Sequence, residues 1–224
     1  MYLVVDHSAS MEPYADSLKL AINMVVLRIM SNPFLRDICR VSIVGFGSYS
    51  GTLLHLSDFN DGGFCGKVLQ ALNMMGAPDY RYVLEELCTR IATDVTTLRV
   101  DGHNVFRPAI IFLTNGSHCG DTSGWLPSRQ KLLDQPWRPN IIAIGIGPSR
   151  EETLQSLSTT DRHGNSLAFV RHEDKDMKLA NSVCEILMSL IEPHDADVNR
   201  IAEHNEPLEI PLPSGFKMID IEPI

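Results

Sequence analysis

Asp6, Ser8 and Ser10 alternate along Asp6-His7-Ser8-Ala9-Ser10, directly after the apolar run Tyr2–Val5 and before an amphipathic stretch. One carboxylate and two hydroxyls at two-residue spacing on a tight loop are hard oxygen donors. Such a set suits Mg2+, which prefers octahedral oxygen coordination and keeps part of its water. A plainer reading is also open: Asp6 ends a strand, while Ser8 or Ser10 caps the following helix. Catalysis asks for more than these residues supply. A serine nucleophile needs a base within hydrogen-bond reach, and His7, adjacent in the chain, points away from its neighbours on a turn. No G-x-S-x-G elbow is present. Gly145-Ile146-Gly147 lacks the third glycine of a dinucleotide fingerprint, because position 150 is Arg, and there is no P-loop lysine motif. His118 and Cys119 are neighbouring ligand types without a second pair, too little for zinc. His103, His163, His172 and the other histidines are widely spaced and read as surface residues.

The elements that must carry this loop are short apolar runs alternating with amphipathic segments. After Tyr2–Val5, residues 12–31 place Leu18, Ile22, Val25 and Ile29 at helical spacing, and Asn32-Pro33 ends that helix. Cys39–Phe46 reads as a strand, with Gly51–Leu56 as its antiparallel hairpin partner at a sheet edge. Cys65–Asn73 suits a short helix. A long helix is expected from Asp79 to Leu98, with Leu84, Leu87, Ile91, Val95 and Leu98 on one stripe. Pro108–Thr114 and Asn140–Ile146 are apolar throughout, the pattern of strands covered on both faces. Ser149–Glu152 fits a capping box opening another helix. Ser166–Val170 suits a last strand, and a closing helix runs from Asp174 to Ile191 with Leu179, Val183, Ile186 and Leu190 inward. Trp125 and Trp137 flank a helix-sized segment and either pack on the sheet or form a partner surface.

This alternation predicts an α/β fold: a doubly wound, mostly parallel sheet with one antiparallel edge strand, covered by helices on both sides in three layers. Ligands of such sheets gather at the carboxyl ends of the strands where the strand order reverses. The loops after Val5, Asn73 and Thr114 are therefore the ones to read.

Composition narrows the function further. The 224 residues are 44% hydrophobic and 21% charged, enough for one large domain. A net charge of −9 lacks the basic footprint that a general nucleic-acid binder needs. Five cysteines without a close pair read as reduced thiols of a cytoplasmic protein. No apolar stretch approaches a membrane span, and Met1–Val5 is too short for a signal-peptide core. Residues 1–191 are expected to form the domain. Residues 192–224 carry prolines at 193, 207, 211, 213 and 223, and beyond Glu192 seven acidic residues face only Arg200 and Lys217. They read as an acidic, partly extended tail, docked on its own domain or on a partner.

The Asp6–Ser10 loop, its place between strand and helix, and the runs Ile111–Gly116 (IFLTNG) and Ile141–Pro148 (IIAIGIGP) together resemble von Willebrand factor A domains. The bacterial TerY-like members are the nearest in look, and the likeness covers residues 1–191. The resemblance implies a Rossmann-like von Willebrand factor A fold and a metal-ion-dependent adhesion site. In such a site D-x-S-x-S, a threonine from a second loop and an aspartate from a third hold a divalent ion, which takes an acidic group of a partner protein as its last ligand. Asp6, Ser8 and Ser10 match. The threonine position falls on Pro78, which offers no side-chain oxygen. Asp79 beside it either substitutes or caps the long helix. The aspartate position falls on Asn115, whose amide can hold a metal-bound water but brings no charge. The resemblance thus implies a degenerate site of Asp6, Ser8, Ser10, Asp79 and Asn115 for Mg2+, Mn2+ or Ca2+. It implies a non-enzymatic protein-interaction module, with a PP2C-type phosphatase or a serine/threonine kinase as partner in phosphorylation-linked or tellurium-resistance-like stress signalling. Two alternatives stay open: a metal-free scaffold acting through its tail, and a metal-dependent hydrolase.

Overall fold

Apolar up to its last residue, β1 (Tyr2–Asp6) is the spine of the molecule, buried at every position. The computed structural model describes residues 1–57, 74, 76–118, 124–161, 163–170, 177–191 and 216–219. The helix expected at 65–73, Cys65, Cys119, His172 and the tail positions 192–215 and 220–224 lie outside these residues.

β1 pairs in parallel with β2 (Val41–Phe46) on one side and β4 (Ala109–Thr114) on the other. β3 (Ser50–Ser57) returns antiparallel along β2 and forms the expected antiparallel edge. β5 (Asn140–Gly145) and β6 (Ala168–Val170) extend the parallel sheet beyond β4. A two-residue strand, β7 (Lys217–Met218), runs antiparallel to β6 and closes the far edge. The sheet order is β3-β2-β1-β4-β5-β6-β7, so the winding reverses between β1 and β4. Part of the stretch read as tail is thus built into the sheet, with Phe216 and Ile219 buried on either side of β7.

The two faces of β1 feed two cores. Leu3 and Val5 pack with α1 (Ala15–Ser31) and the C-terminal helix (Met177–Ile191). Tyr2 and Val4 belong to a core that includes Val83, Leu84, Leu87 and Ile91 of the long helix (Tyr80–Val100) and Leu154 and Leu157 of Glu151–Leu157. Helices on both faces cover the inner strands, which is why β1, β4 and β5 are apolar without alternation, while the edge strand β3 is only half-buried. In chain order we label the helices after α1 as α2 (Pro33–Ile38), α3 (Tyr80–Val100), α4 (Leu126–Leu133), α5 (Glu151–Leu157) and α6 (Met177–Ile191).

Local chemistry departs from the sequence reading in two places. Asn32-Pro33 ends α1 and also starts α2: the Asn32 amide oxygen accepts from the backbone N–H of Phe34 at 3.0 Å and of Leu35 at 3.3 Å, with Pro33 at the first helical position, where its missing N–H costs nothing. The capping box expected at Ser149 does not form. Arg150 is the N-cap of α5, and the Ser149 hydroxyl donates to the Gly147 carbonyl at 3.1 Å instead. Trp125 is buried and lies against Tyr80 with ring centroids 5.4 Å apart, and Trp137 is half-buried against the same core. Packing accounts for both indoles.

Candidate functional site

The first and third loops leave the carboxyl ends of neighbouring strands β1 and β4, at the point where the winding reverses. Asp6 is the last residue of β1 and is completely buried. One carboxylate oxygen accepts the Ser8 backbone N–H at 2.9 Å, and the other accepts the Thr114 hydroxyl at 2.6 Å. Thr114 has a single proton and gives it to Asp6, so the Tyr80 hydroxyl, 2.8 Å away, must donate to Thr114. The Gly116 backbone N–H donates to the same threonine oxygen at 3.1 Å. Every polar group in this chain from α3 through β4 to β1 is therefore satisfied, the condition for carrying a buried carboxylate.

Burial pushes the Asp6 carboxyl above its ordinary range, and the hydrogen bonds from Ser8 and Thr114 and the nearby His7 only partly offset this. Burial, then the negative charge of Asp6, push the Tyr80 phenol far up, so it stays a neutral donor. The Thr114 hydrogen bond and the positive charge of Arg150 act in the opposite sense.

Ser8 begins the 3-10 helix Ala9–Tyr14 in N-cap position, but its side chain makes no cap hydrogen bond. Its buried hydroxyl instead lies 3.0 Å from that of Ser10, which is exposed. His7 turns away from both: its ring packs edge-on to Tyr49 at 6.1 Å, and it is the side chain that a Cβ at Gly45 would meet, at 2.9 Å. The hydroxyl–imidazole pair that a serine nucleophile requires is not made here.

The second loop is stitched to the first by backbone. Ala9 N–H donates to the Gly76 carbonyl at 3.0 Å, while Asp79 N–H ties the second loop to the turn after β2 through the Gly47 carbonyl at 2.9 Å. Gly76 has φ of +75°, and a Cβ there would collide with the Ser48 hydroxyl, so the loop has no room for a side chain at this point. Pro78 is buried. Asp79 is the N-cap of α3: one carboxylate oxygen accepts the Arg81 N–H at 2.9 Å, and the other faces the Arg81 guanidinium at 3.5 Å. In the third loop Asn115 is 5% exposed and turns its amide oxygen onto the Ser117 N–H at 3.0 Å. Asp6, Ser8 and Ser10 thus form one hydroxyl–carboxylate group, while the side-chain oxygens of Asp79 and Asn115 are engaged locally, with Arg81 and Ser117.

Thr114 and Tyr80 were missed as site residues by sequence reasoning. Their signals were present but ordinary: a hydroxyl closing an otherwise apolar strand, and an aromatic one residue inside a helix start. Among the described residues no group of three or more histidines, cysteines, aspartates or glutamates could hold a metal ion, so a cation here depends on hydroxyl donors.

Strand order, reversal point and loop placement define the von Willebrand factor A fold. Solved structures bear this out: 84% of the chain superposes on 41% of a von Willebrand factor type A protein from Catenulispora acidiphila with a TM-score of 0.60 at 14% identity. A pilus adhesin from Lactobacillus rhamnosus GG matches 82% of the chain with 29% of its own length (TM-score 0.63, 14% identity). Proximal thread matrix protein 1 from the mussel byssus, in a form described as having a zinc-occupied MIDAS motif, matches 85% of the chain with 46% of its own (TM-score 0.58, 16% identity). The chain thus spans less than half the length of these proteins. No family model and no curated protein matches the sequence. Among the described residues no helix is long and apolar enough to cross a membrane.

Proposed function

We propose that this chain is a non-enzymatic protein-interaction module that grips an acidic side chain of a partner protein in the crevice above Asp6. The observation that carries the reading is the pair of Ser8 and Ser10 hydroxyl oxygens, 3.0 Å apart at the mouth of a buried carboxylate. Adjacent oxygens of an octahedral Mg2+ shell, at metal distances of 2.0–2.1 Å, stand about 2.9 Å apart. The two hydroxyls already hold that spacing, and the donor chemistry fits a hard cation. Asp6, Ser8 and Ser10 are the residues that would hold Mg2+, Mn2+ or Ca2+, with Asp79 and Asn115 beside them as outer groups. A bound ion would supply positive charge for the partner's carboxylate. The chain's own residues do the rest: Thr114 and Tyr80 orient Asp6, and the backbone bonds from Ala9 and Asp79 hold the loops in register.

The TerY-like resemblance extends the proposal to a cytoplasmic role in phosphorylation-linked stress signalling, with a PP2C-type phosphatase or a serine/threonine kinase as the partner. The test begins with the crevice. Mn2+ titration followed by electron paramagnetic resonance should show one bound ion in the wild type and none after joint Asp6→Ala and Ser8→Ala substitution. Labelled peptides carrying a single Glu should bind the wild type better than their Gln twins, and the double variant should lose that preference. Unchanged discrimination in the double variant would falsify the reading.

A further inference from the structure

The two outer strands of the sheet are secured in different ways. β3 runs along β2 for eight residues, Ser50–Ser57, and only the turn at residues 47–49 joins the two strands. β7 contributes two residues, Lys217 opposite Val170 and Met218 opposite Phe169. The Ile219 N–H also donates to the Ala168 carbonyl at 3.0 Å. Residues 192–216 separate β7 from the end of α6 at Ile191, a stretch that can span tens of ångströms at about 3.3 Å per residue. What holds β7 in place is therefore mostly its side chains. Phe216 is buried and Met218 half-buried in the core shared with α1 and α6, and Ile219 is buried in the core on the opposite face. Lys217 between them is exposed. The receiving strand has its own support. β6 pairs with β5 at Ala168, Phe169 and Val170, and Leu167 before it exchanges backbone bonds with Ala143 and Thr159.

We propose that the outer edge of β6 is a second protein-recognition site, for an extended segment of another protein with an aromatic and an aliphatic residue three positions apart, and that residues 216–219 are its tethered occupant. Strand addition of this kind takes its alignment from main-chain hydrogen bonds and its selectivity from pockets for particular side chains. The seated segment displays the chemistry required. Its first residue is an aromatic that enters one core, its second faces water, and its fourth is an aliphatic that enters the other core. A flexible tether gives the built-in occupant an effective concentration on the order of millimolar. The tether thus sets the threshold that an incoming segment must exceed. In the sheet β6 lies two strands beyond β4, so this site is separate from the crevice above Asp6 and does not depend on a cation there.

The probe is a fluorescein-labelled peptide with the sequence of residues 214–221, titrated with the full 224-residue chain and followed by anisotropy. Joint Phe216→Ser and Ile219→Ser substitution in the chain vacates the edge. This double variant should bind the peptide about tenfold or more tighter than the wild type, whose own segment competes. A peptide carrying the same two serines should bind neither protein. Amide hydrogen exchange on the wild type supplies a second readout. The Ile219 N–H should exchange about tenfold or more faster than the Ile146 N–H, which the Thr114 carbonyl holds in the sheet, because β7 opens by itself. Protection of Ile146 in the double variant reports that it is folded. A folded double variant that binds the peptide no better than the wild type overturns the proposal, as does Ile219 exchanging in step with Ile146. Loss of the Ile146 protection in the double variant overturns it too, because β7 would then be part of what supports the fold. A wild type that sediments as a dimer at micromolar concentration would give the edge to a second copy and overturn its assignment to another protein.

Discussion

The Asp6 loop and the Asn115 loop leave adjacent strands a few ångströms apart, yet they handle charge in opposite ways. Asp6 is fully buried and held by a backbone N–H and a threonine hydroxyl. Asn115 of the third loop is neutral, its amide is folded back on Ser117, and its carbonyl accepts the backbone N–H of the exposed Arg150. A carboxylate is therefore wired into the core, while the charged residue beside Asn115 stands in water. Buried ionised groups persist only where their partners are fixed. Exposed ones keep their freedom and are available to an incoming ligand. The comparison teaches that the buried carboxylate depends on fixed partners, while the exposed cation does not.

Substitutions can break or sharpen that division. The largest effect is expected at Thr114. Thr114→Val removes the donor to one Asp6 oxygen and the acceptor of both the Tyr80 hydroxyl and the Gly116 N–H, so three buried polar groups lose a partner. It should cost about 1–3 kcal/mol in urea unfolding, the upper end applying because one group is charged. A cost no greater than that of Asn115→Ala would erase the distinction between the loops. Asp79→Ala comes next. If Asp79 serves as a cap, the loss is about 1 kcal/mol and the Mn2+ affinity is unchanged. A weakened ion with intact stability would move Asp79 from the frame into the ligand set.

The smallest effect is at Asp6 itself. Its folded carboxyl titrates above the ordinary value of 3.8 because of burial. The unfolded chain thus gives up this proton first as pH rises, and ionisation works against folding once pH passes the unfolded value. Asp6→Asn removes the charge but turns one of the two accepting oxygens into a donor, so any gain in melting temperature over wild type should be greatest at neutral pH, while ion binding is lost. The gap from wild type should close as pH falls toward 4. A gap that widens on acidification would mean that the hydrogen bonds outweigh desolvation.

Much of this architecture was legible in the residues. Pro108–Thr114 and Asn140–Ile146 announced strands buried on both faces, and Leu18, Ile22, Val25 and Ile29 marked the buried side of α1. The first loop could be read because its three oxygens are close in sequence. Thr114 and Tyr80 could not, because their meeting with Asp6 spans 108 and 34 positions and depends on strand order. Asp79 had two readings from sequence, and its bonds to Arg81 show the capping one in place. Ser149 looked like a cap by spacing alone, but the turn at Gly147, with φ of +69°, puts a nearer carbonyl within its reach. Lys217–Met218 gave no strand signal because two residues in a proline-bearing acidic stretch carry no periodicity. Their pairing comes entirely from the open edge of β6.

That last pairing has a consequence for how the molecule comes into being. β6 is apolar and short, and its outer backbone groups meet a partner only when residues 217–218 arrive. Until then the five parallel strands have an unprotected border, open to the backbone of another chain. Unpaired borders of this kind are where polypeptides join to one another in error.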